Sequence, residues 1–140
     1  MTAQPPASEP QSLYEAVGGE ATFHRIVARF YALVAVDEIL RPLYPEADLR
    51  PAEDRLRLYL VEHWGGPAAY TQLRGPARLA ARHMRFRITR AHRDAWLRAM
   101  RIAVDEAGVA PAHRDRLWGH LETVASNLTT HETPSTLRIR

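Results

Sequence analysis

No cysteine occurs anywhere in the 140 residues, which rules out a disulfide framework and any thiolate chemistry. Lysine is absent too, so all 19 basic side chains are arginines. No apolar run approaches the roughly 18 residues that a membrane-spanning helix needs. Residues 1–11 lack the basic start and apolar centre of a secretory signal, and read as a disordered tail. Residues 131–140 read as a second flexible tail, which leaves one expected domain at 12–130 and the cytoplasm as the expected compartment. What remains is ordinary for a globular chain, with 46% hydrophobic and 25% charged residues, enough for a single core. The pI of about 9.8 invites a nucleic-acid reading, but the formal net charge is only +3. The arginines alternate with acids, as in Pro51-Ala52-Glu53-Asp54-Arg55-Leu56-Arg57 and His113-Arg114-Asp115-Arg116. Mixed signs mark a solvated helix face, so neither a nucleic acid nor a membrane is expected as partner.

The hydrophobic pattern is helical throughout, and the expected fold class is all-α. Ser12-Leu13-Tyr14-Glu15 has the form of a capping box for a short helix, which Gly18-Gly19 stops. Thr22 is placed to cap a second helix, where Phe23, Ile26, Val27, Phe30, Tyr31 and Val34 recur at threes and fours. Asp37 and Pro42 mark its end, and Leu40-Arg41-Pro42-Leu43-Tyr44-Pro45 is a turn stiffened by prolines. Pro51 opens a third helix, with Ala52, Leu56, Tyr59, Leu60 and His63 on one face and Arg55 at its edge. Gly65-Gly66-Pro67 ends it, and the stretch to Gly75-Pro76 reads as an ordered loop, followed by a short helix over 77–83. Two long amphipathic helices are expected at about 90–107 and 111–130. They carry the stripes Trp96, Met100, Ala103, Ala107 and Leu117, Leu121, Val124, Leu128. Two helical pairs packed across one another are the expected core.

His83 is the residue that most constrains function. It lies in Arg82-His83-Met84-Arg85-Phe86-Arg87-Ile88, just ahead of Thr89, which can cap the next helix. The helix before it is short and its loop is punctuated by glycine and proline, so the middle of the fold has room for something other than side chains. An imidazole that can hold a metal, and the tip donors of Tyr31, Tyr44 and Trp96, are what a buried haem needs. On periodicity alone Tyr31 and Trp96 read as packing residues. Tyr44, held between prolines, is harder to explain by core filling.

Taken together, Leu13-Tyr14-Glu15-Ala16-Val17-Gly18-Gly19, Arg29-Phe30-Tyr31, Leu40-Arg41-Pro42-Leu43-Tyr44-Pro45, Trp64-Gly65-Gly66-Pro67, Arg82-His83 and Arg93-Asp94-Ala95-Trp96-Leu97 resemble a group II truncated haemoglobin. The resemblance runs from Leu13 to Leu128. It implies a two-over-two helical globin that holds b-type haem, with His83 as the proximal iron ligand. It also implies a distal trio at Tyr31, Tyr44 and Trp96, with Ala52 where larger globins carry a distal histidine and Leu56 as an apolar wall beside the ligand. Arg55, Arg82 and Tyr70 are the candidates for contact with the haem propionates. His63 stands where the family more often has tyrosine, as a propionate contact or an exposed residue. Ala77-Arg78-Leu79-Ala80-Ala81 is smaller than the family's usual stretch.

The expected ligands are O2, CO, NO or peroxide. O2 gathers negative charge when bound at ferrous haem, and each hydrogen bond to a charged acceptor is worth about 1.5–3 kcal/mol. Two such bonds slow ligand escape by roughly two orders of magnitude or more, so retention is favoured over easy carriage. Two versions of this function stand: ligand binding or sensing without turnover, and peroxidase-like or nitric-oxide-oxidising chemistry fed by an external reductase. The assembly is expected to be a monomer or homodimer. Two other classes compete, a non-haem metal-binding bundle using several of His24, His63, His92, His113 and His120, and a cofactor-free arginine-rich interaction module. An intense haem absorption band in the purified protein separates the three. His83→Ala is expected to lose haem or bind it labilely; haem retained with unchanged axial ligation refutes the assignment.

Overall fold

The computed structural model describes residues 12–75 and 88–128, and every regular element among them is a helix. Helix α1 (Leu13–Ala16) is capped as its sequence predicts, the Ser12 hydroxyl accepting the Glu15 N–H at 3.1 Å. Gly18 and Gly19, at φ 115° and 69°, then turn the chain through a conformation that side-chain-bearing residues resist. Helix α2 (Gly19–Ala35) begins at once, so the expectation that Thr22 caps it is wrong. Thr22 is buried inside the helix, where its hydroxyl donates to the Val17 carbonyl at 2.7 Å. It secures the turn between α1 and α2 instead.

A single 3-10 turn (Arg41–Leu43) carries the chain through its proline. Asp37 anchors the approach by accepting the N–H groups of Ile39 and Leu40 at 2.8 and 2.9 Å. Helix α3 (Arg50–His63) has Pro51 in its first turn, where the missing N–H costs nothing. The stretch read as a loop between residues 65 and 76 contains helix α4 (Ala69–Arg74), a correction. Its N-terminal residue Ala68 has no capping atom. The Glu62 carboxylate at the end of α3 takes over, accepting from the Thr71 N–H at 2.8 Å and from its hydroxyl. A cap borrowed from the preceding helix leaves no local signature. The short helix expected at 77–83 lies outside the described residues.

Thr89 caps helix α5 (Arg90–Glu106) as anticipated, and His92 completes the box, its Nδ1 accepting the Thr89 N–H at 3.0 Å. Helix α6 (Pro111–Leu128) closes the described chain. The two layers are α2 with α3 and α5 with α6, joined where α2 lies across α5. The face of α5 turned to that contact is narrower in volume than expected: Ala95, Ala99 and Ala103 are buried beside Met100 and Val104, while Ala107 stays partly exposed. Alanines at every fourth position let the α2 side chains Phe30, Val27 and Phe23 approach closely. On α6, Leu117, Leu121 and Ala125 are buried, and the expected Val124 and Leu128 sit at the margin.

Helices α3 and α6 meet through long side chains. His63 and His120 stack face to face, centroids 3.8 Å apart and planes within 1°. The Tyr59 hydroxyl lies 3.5 Å from His120 Nε2, and the Trp64 ring stands edge-on to His120 at 5.0 Å. His63 is therefore half of a stacked pair while staying exposed, one of the two places expected for it. His120 Nδ1 and the Trp64 indole nitrogen are buried without a hydrogen-bond partner among the described residues. A charged His120 is poorly served there, and burial, then the nearby His63, pushes its pKa down to about 4. Burial lowers His63 as well.

Two outcomes are expected. A methyl group at Gly66 would meet Val61 Cγ1 at 2.6 Å and Tyr14 Cε1 at 2.8 Å. Gly66→Ala should therefore cost about 1–3 kcal/mol in denaturant unfolding; an unchanged midpoint would show that Tyr14 and Val61 have room to yield. His120 contributes in the opposite direction to an ion-paired histidine, because the unfolded chain takes up its proton first. Stability is full above a pH of about 6.5 and is lost as pH falls towards about 4. Over that range His120→Gln should lose less stability than the parent; equal acid sensitivity would show that His120 titrates normally.

Candidate functional site

Tyr31 comes from the buried stripe of α2 and is 7% exposed. Its ring packs edge to face with Phe30 at 4.9 Å and with Tyr44 at 5.6 Å. Tyr44 ends the 3-10 turn in extended backbone, φ −108° and ψ 106°, the conformation that the following Pro45 imposes. The two hydroxyls are 3.5 Å apart. One bond between two phenols uses one proton, so a second O–H stays available to whatever lies beside them. Trp96, from α5, also packs edge to face with Phe30, centroids 5.3 Å apart. Phe30 thus sets the indole of one layer against the phenol of the other.

Burial raises the Tyr31 pKa well above its ordinary value, and Tyr44 adds to the effect; the Arg55 cation opposes it and Glu53 contributes slightly. Burial also raises Tyr44, opposed by the Tyr31 hydrogen bond and by Arg55. Both phenols are therefore neutral donors at neutral pH. Arg55, predicted at the edge of the α3 face, is brought into electrostatic range of both. Ala52 is buried on α3, and Leu56 one turn onward is partly buried against the same core. Tyr70 is buried on α4, where its ring packs edge to face with Tyr59 of α3, centroids 5.8 Å apart. Arg82 and His83 lie outside the described residues.

Two contributors escaped the sequence. Phe30 was visible as an apolar residue of the stripe and in the motif Arg29-Phe30-Tyr31, but with no role of its own. Arg41 was quoted only as part of the motif around Tyr44: its guanidinium donates to the carbonyls of Tyr44, Glu46 and Ala47, contacts that no residue pattern encodes.

The competing classes find less. Among the described residues no three of His, Cys, Asp and Glu come together as metal ligands, and no helix is long and apolar enough to cross a membrane. Arginines are spent on acids of neighbouring elements, as in Arg29–Glu106 at 2.9 Å and Arg57–Glu20 at 2.5 Å. The described part of the site fits a haem. Ala52 and Leu56 contribute apolar surface on α3, and protonated phenols supply donors without charge.

Comparison with known proteins agrees. The bacterial-like globin family matches residues 12–130. The curated group 2 truncated haemoglobin YjbI of Bacillus subtilis is 37% identical over 115 residues, 82% of this chain and 86% of that one. The crystal structure of a thermostable haemoglobin from Thermobifida fusca superposes with a TM-score of 0.85 at 47% identity, covering 89% of this chain and 100% of the other. That of a truncated oxygen-avid haemoglobin from Bacillus subtilis gives 0.81 at 36%, covering 86% and 100%. With helices in two crossed layers, a phenol pair where the motifs placed it, and these relatives along nearly its whole described length, the chain belongs to the bacterial-like globins as a group II truncated, two-over-two haemoglobin.

Proposed function

We propose that the protein holds b-type haem through His83 and retains O2 by hydrogen bonds from Tyr31, Tyr44 and Trp96, releasing it slowly. The observation that carries this reading is the pair of neutral phenols, Tyr31 buried and Tyr44 partly so, one proton of which is free to point away from the pair. When bound, the haem supplies reversible coordination of a diatomic ligand at ferrous iron. The chain's own residues supply discrimination. A donor in a buried site gains most against a ligand that gathers negative charge, as O2 does, and little against CO. Phe30 holds Tyr31 and Trp96 in edge-to-face contact, so the donors arrive with their directions already fixed. Ala52 and Leu56 keep the ligand's surroundings apolar, which strengthens each hydrogen bond made there.

Arg82 and Tyr70 are assigned to the propionates. Arg55 is assigned there too, and its charge at Tyr31 and Tyr44 makes it the link between the cofactor's anionic edge and the donors. The Bacillus subtilis relative described as oxygen-avid supports retention over carriage. Efficient peroxide turnover is left out of this reading, because Tyr31, Tyr44, Trp96, Ala52 and Leu56 include no acid–base group that works near neutral pH. The expected setting remains the cytoplasm.

Trp96→Phe should speed O2 dissociation roughly ten- to a hundredfold, the loss of one hydrogen bond to a charged acceptor, and leave CO dissociation nearly unchanged. Stopped-flow displacement on the ferrous protein measures both. Equal acceleration of the two ligands would mean that the indole acts through bulk and that its N–H holds nothing.

A further inference from the structure

Tyr44 works, in the reading above, only if a hydroxyl carried by a surface turn stays in one place. The backbone there offers little help. Residues 44–49 belong to no helix or strand, and Pro45 has no N–H to bond. Three carbonyls in this stretch converge on one side chain. Arg41 Nη1 donates to the Tyr44 carbonyl at 2.8 Å, and Nη2 donates to the carbonyls of Glu46 at 2.8 Å and Ala47 at 3.2 Å. The Arg41 carbonyl in turn accepts the Tyr44 N–H at 3.1 Å. Arg41 thus grips the Tyr44 residue from both ends. Its own place is fixed, since its N–H donates to the Asp37 carbonyl at 2.9 Å, at the end of the segment that Asp37 anchors.

We propose that Arg41 is a positioning residue for ligand retention: its guanidinium clamps the turn that carries Tyr44, and so holds the Tyr44 hydroxyl against that of Tyr31. This rests on the proposed role of Tyr44 as a ligand donor. The fork geometry is what the task needs. A guanidinium presents several N–H groups in one rigid plane and bonds three carbonyls at once, while an ammonium is a flexible point donor. Bonds from a charged donor are also the stronger kind. Arg41 makes no ion pair among the described residues, so these carbonyls are its described partners. The charges that act on the Tyr44 phenol are those of Arg55 and Glu46. Loss of the Arg41 cation would by itself push the Tyr44 phenol further up, whereas loss of its buried position lets it fall, so the direction of the change separates position from charge.

The test uses the CO-bound ferrous protein labelled with 13C at tyrosine Cζ, whose shift reports ionisation of each phenol, together with O2 release by stopped flow. In Arg41→Ala the Tyr44 signal should titrate closer to an ordinary tyrosine than it does in the parent. O2 release should be about three- to tenfold faster, the partial loss of one donor. Arg41→Lys, which keeps the charge without the fork and guards against a misfolded alanine variant, should fall between. In a Tyr44→Phe background, Arg41→Ala should add nothing further. An unshifted Tyr44 titration in both variants overturns the proposal. So does equal acceleration with and without the Tyr44 hydroxyl, which means general loosening. If Tyr44→Phe alone leaves O2 release unchanged, the donor role of Tyr44 falls and Arg41's effect on release falls with it, whereas the titration still shows separately whether the clamp exists.

Discussion

The site depends on how closely α2 lies against α5. That separation is set by small residues on one side, Ala95, Ala99 and Ala103, and large ones on the other, Phe23, Val27 and Phe30, all buried. Phe30 is buried at the seam and touches Tyr31 of one layer and Trp96 of the other. A larger residue on α5 would move Trp96 away from Tyr31, and a smaller one on α2 would let both rings turn. Packing of the two layers and the aim of the donors are thus one constraint, in which a shape problem in the core settles a chemical one at the site.

Around that seam the elements are tied by contacts of different kinds. The start of the described chain is locked to the end of α3, where the Tyr14 N–H donates to the Trp64 carbonyl at 2.8 Å and Gly66 lets the Tyr14 ring come close. Helix α4 is held to α3 by the carboxylate of Glu62. The far side of α3 is held to α6 by stacked imidazoles. Helix α3, which carries Ala52, Arg55 and Leu56, is therefore restrained by polar or aromatic contacts at its C-terminal end and by apolar packing on α2. Its first turn has only Leu49 before it, a residue with no capping atom.

Much of this was legible in the sequence, for local reasons. Ser12 and Thr89 announce caps because the capping oxygen and the N–H it satisfies are three residues apart. Gly18-Gly19 announces a turn because few other residues tolerate that backbone. Tyr31 was readable from a period, and Tyr44 from flanking prolines. What was not legible was non-local. Helix α4 takes its cap from another helix, Thr22 bonds backwards across a turn, and His63 meets His120 only because the fold brings α3 to α6. Alanine in α5 was underrated for a different reason: burial of a small side chain is a matter of closeness, which hydrophobic periodicity weighs too lightly. The site followed the same division: Tyr31, Tyr44 and Trp96 were readable from the motifs, while the contacts of Phe30 and Arg41 exist only in the fold.

The raised pKa values of Tyr31 and Tyr44 carry a last consequence. An exposed phenol would begin to turn anionic as the medium becomes alkaline and, in the proposed role, would then repel the partial negative charge it should attract. These two keep their protons beyond that point, and a tryptophan indole has no acidity in water at all. The polar lining is consequently a fixed one, whose character does not drift with the cell's pH from neutral upward.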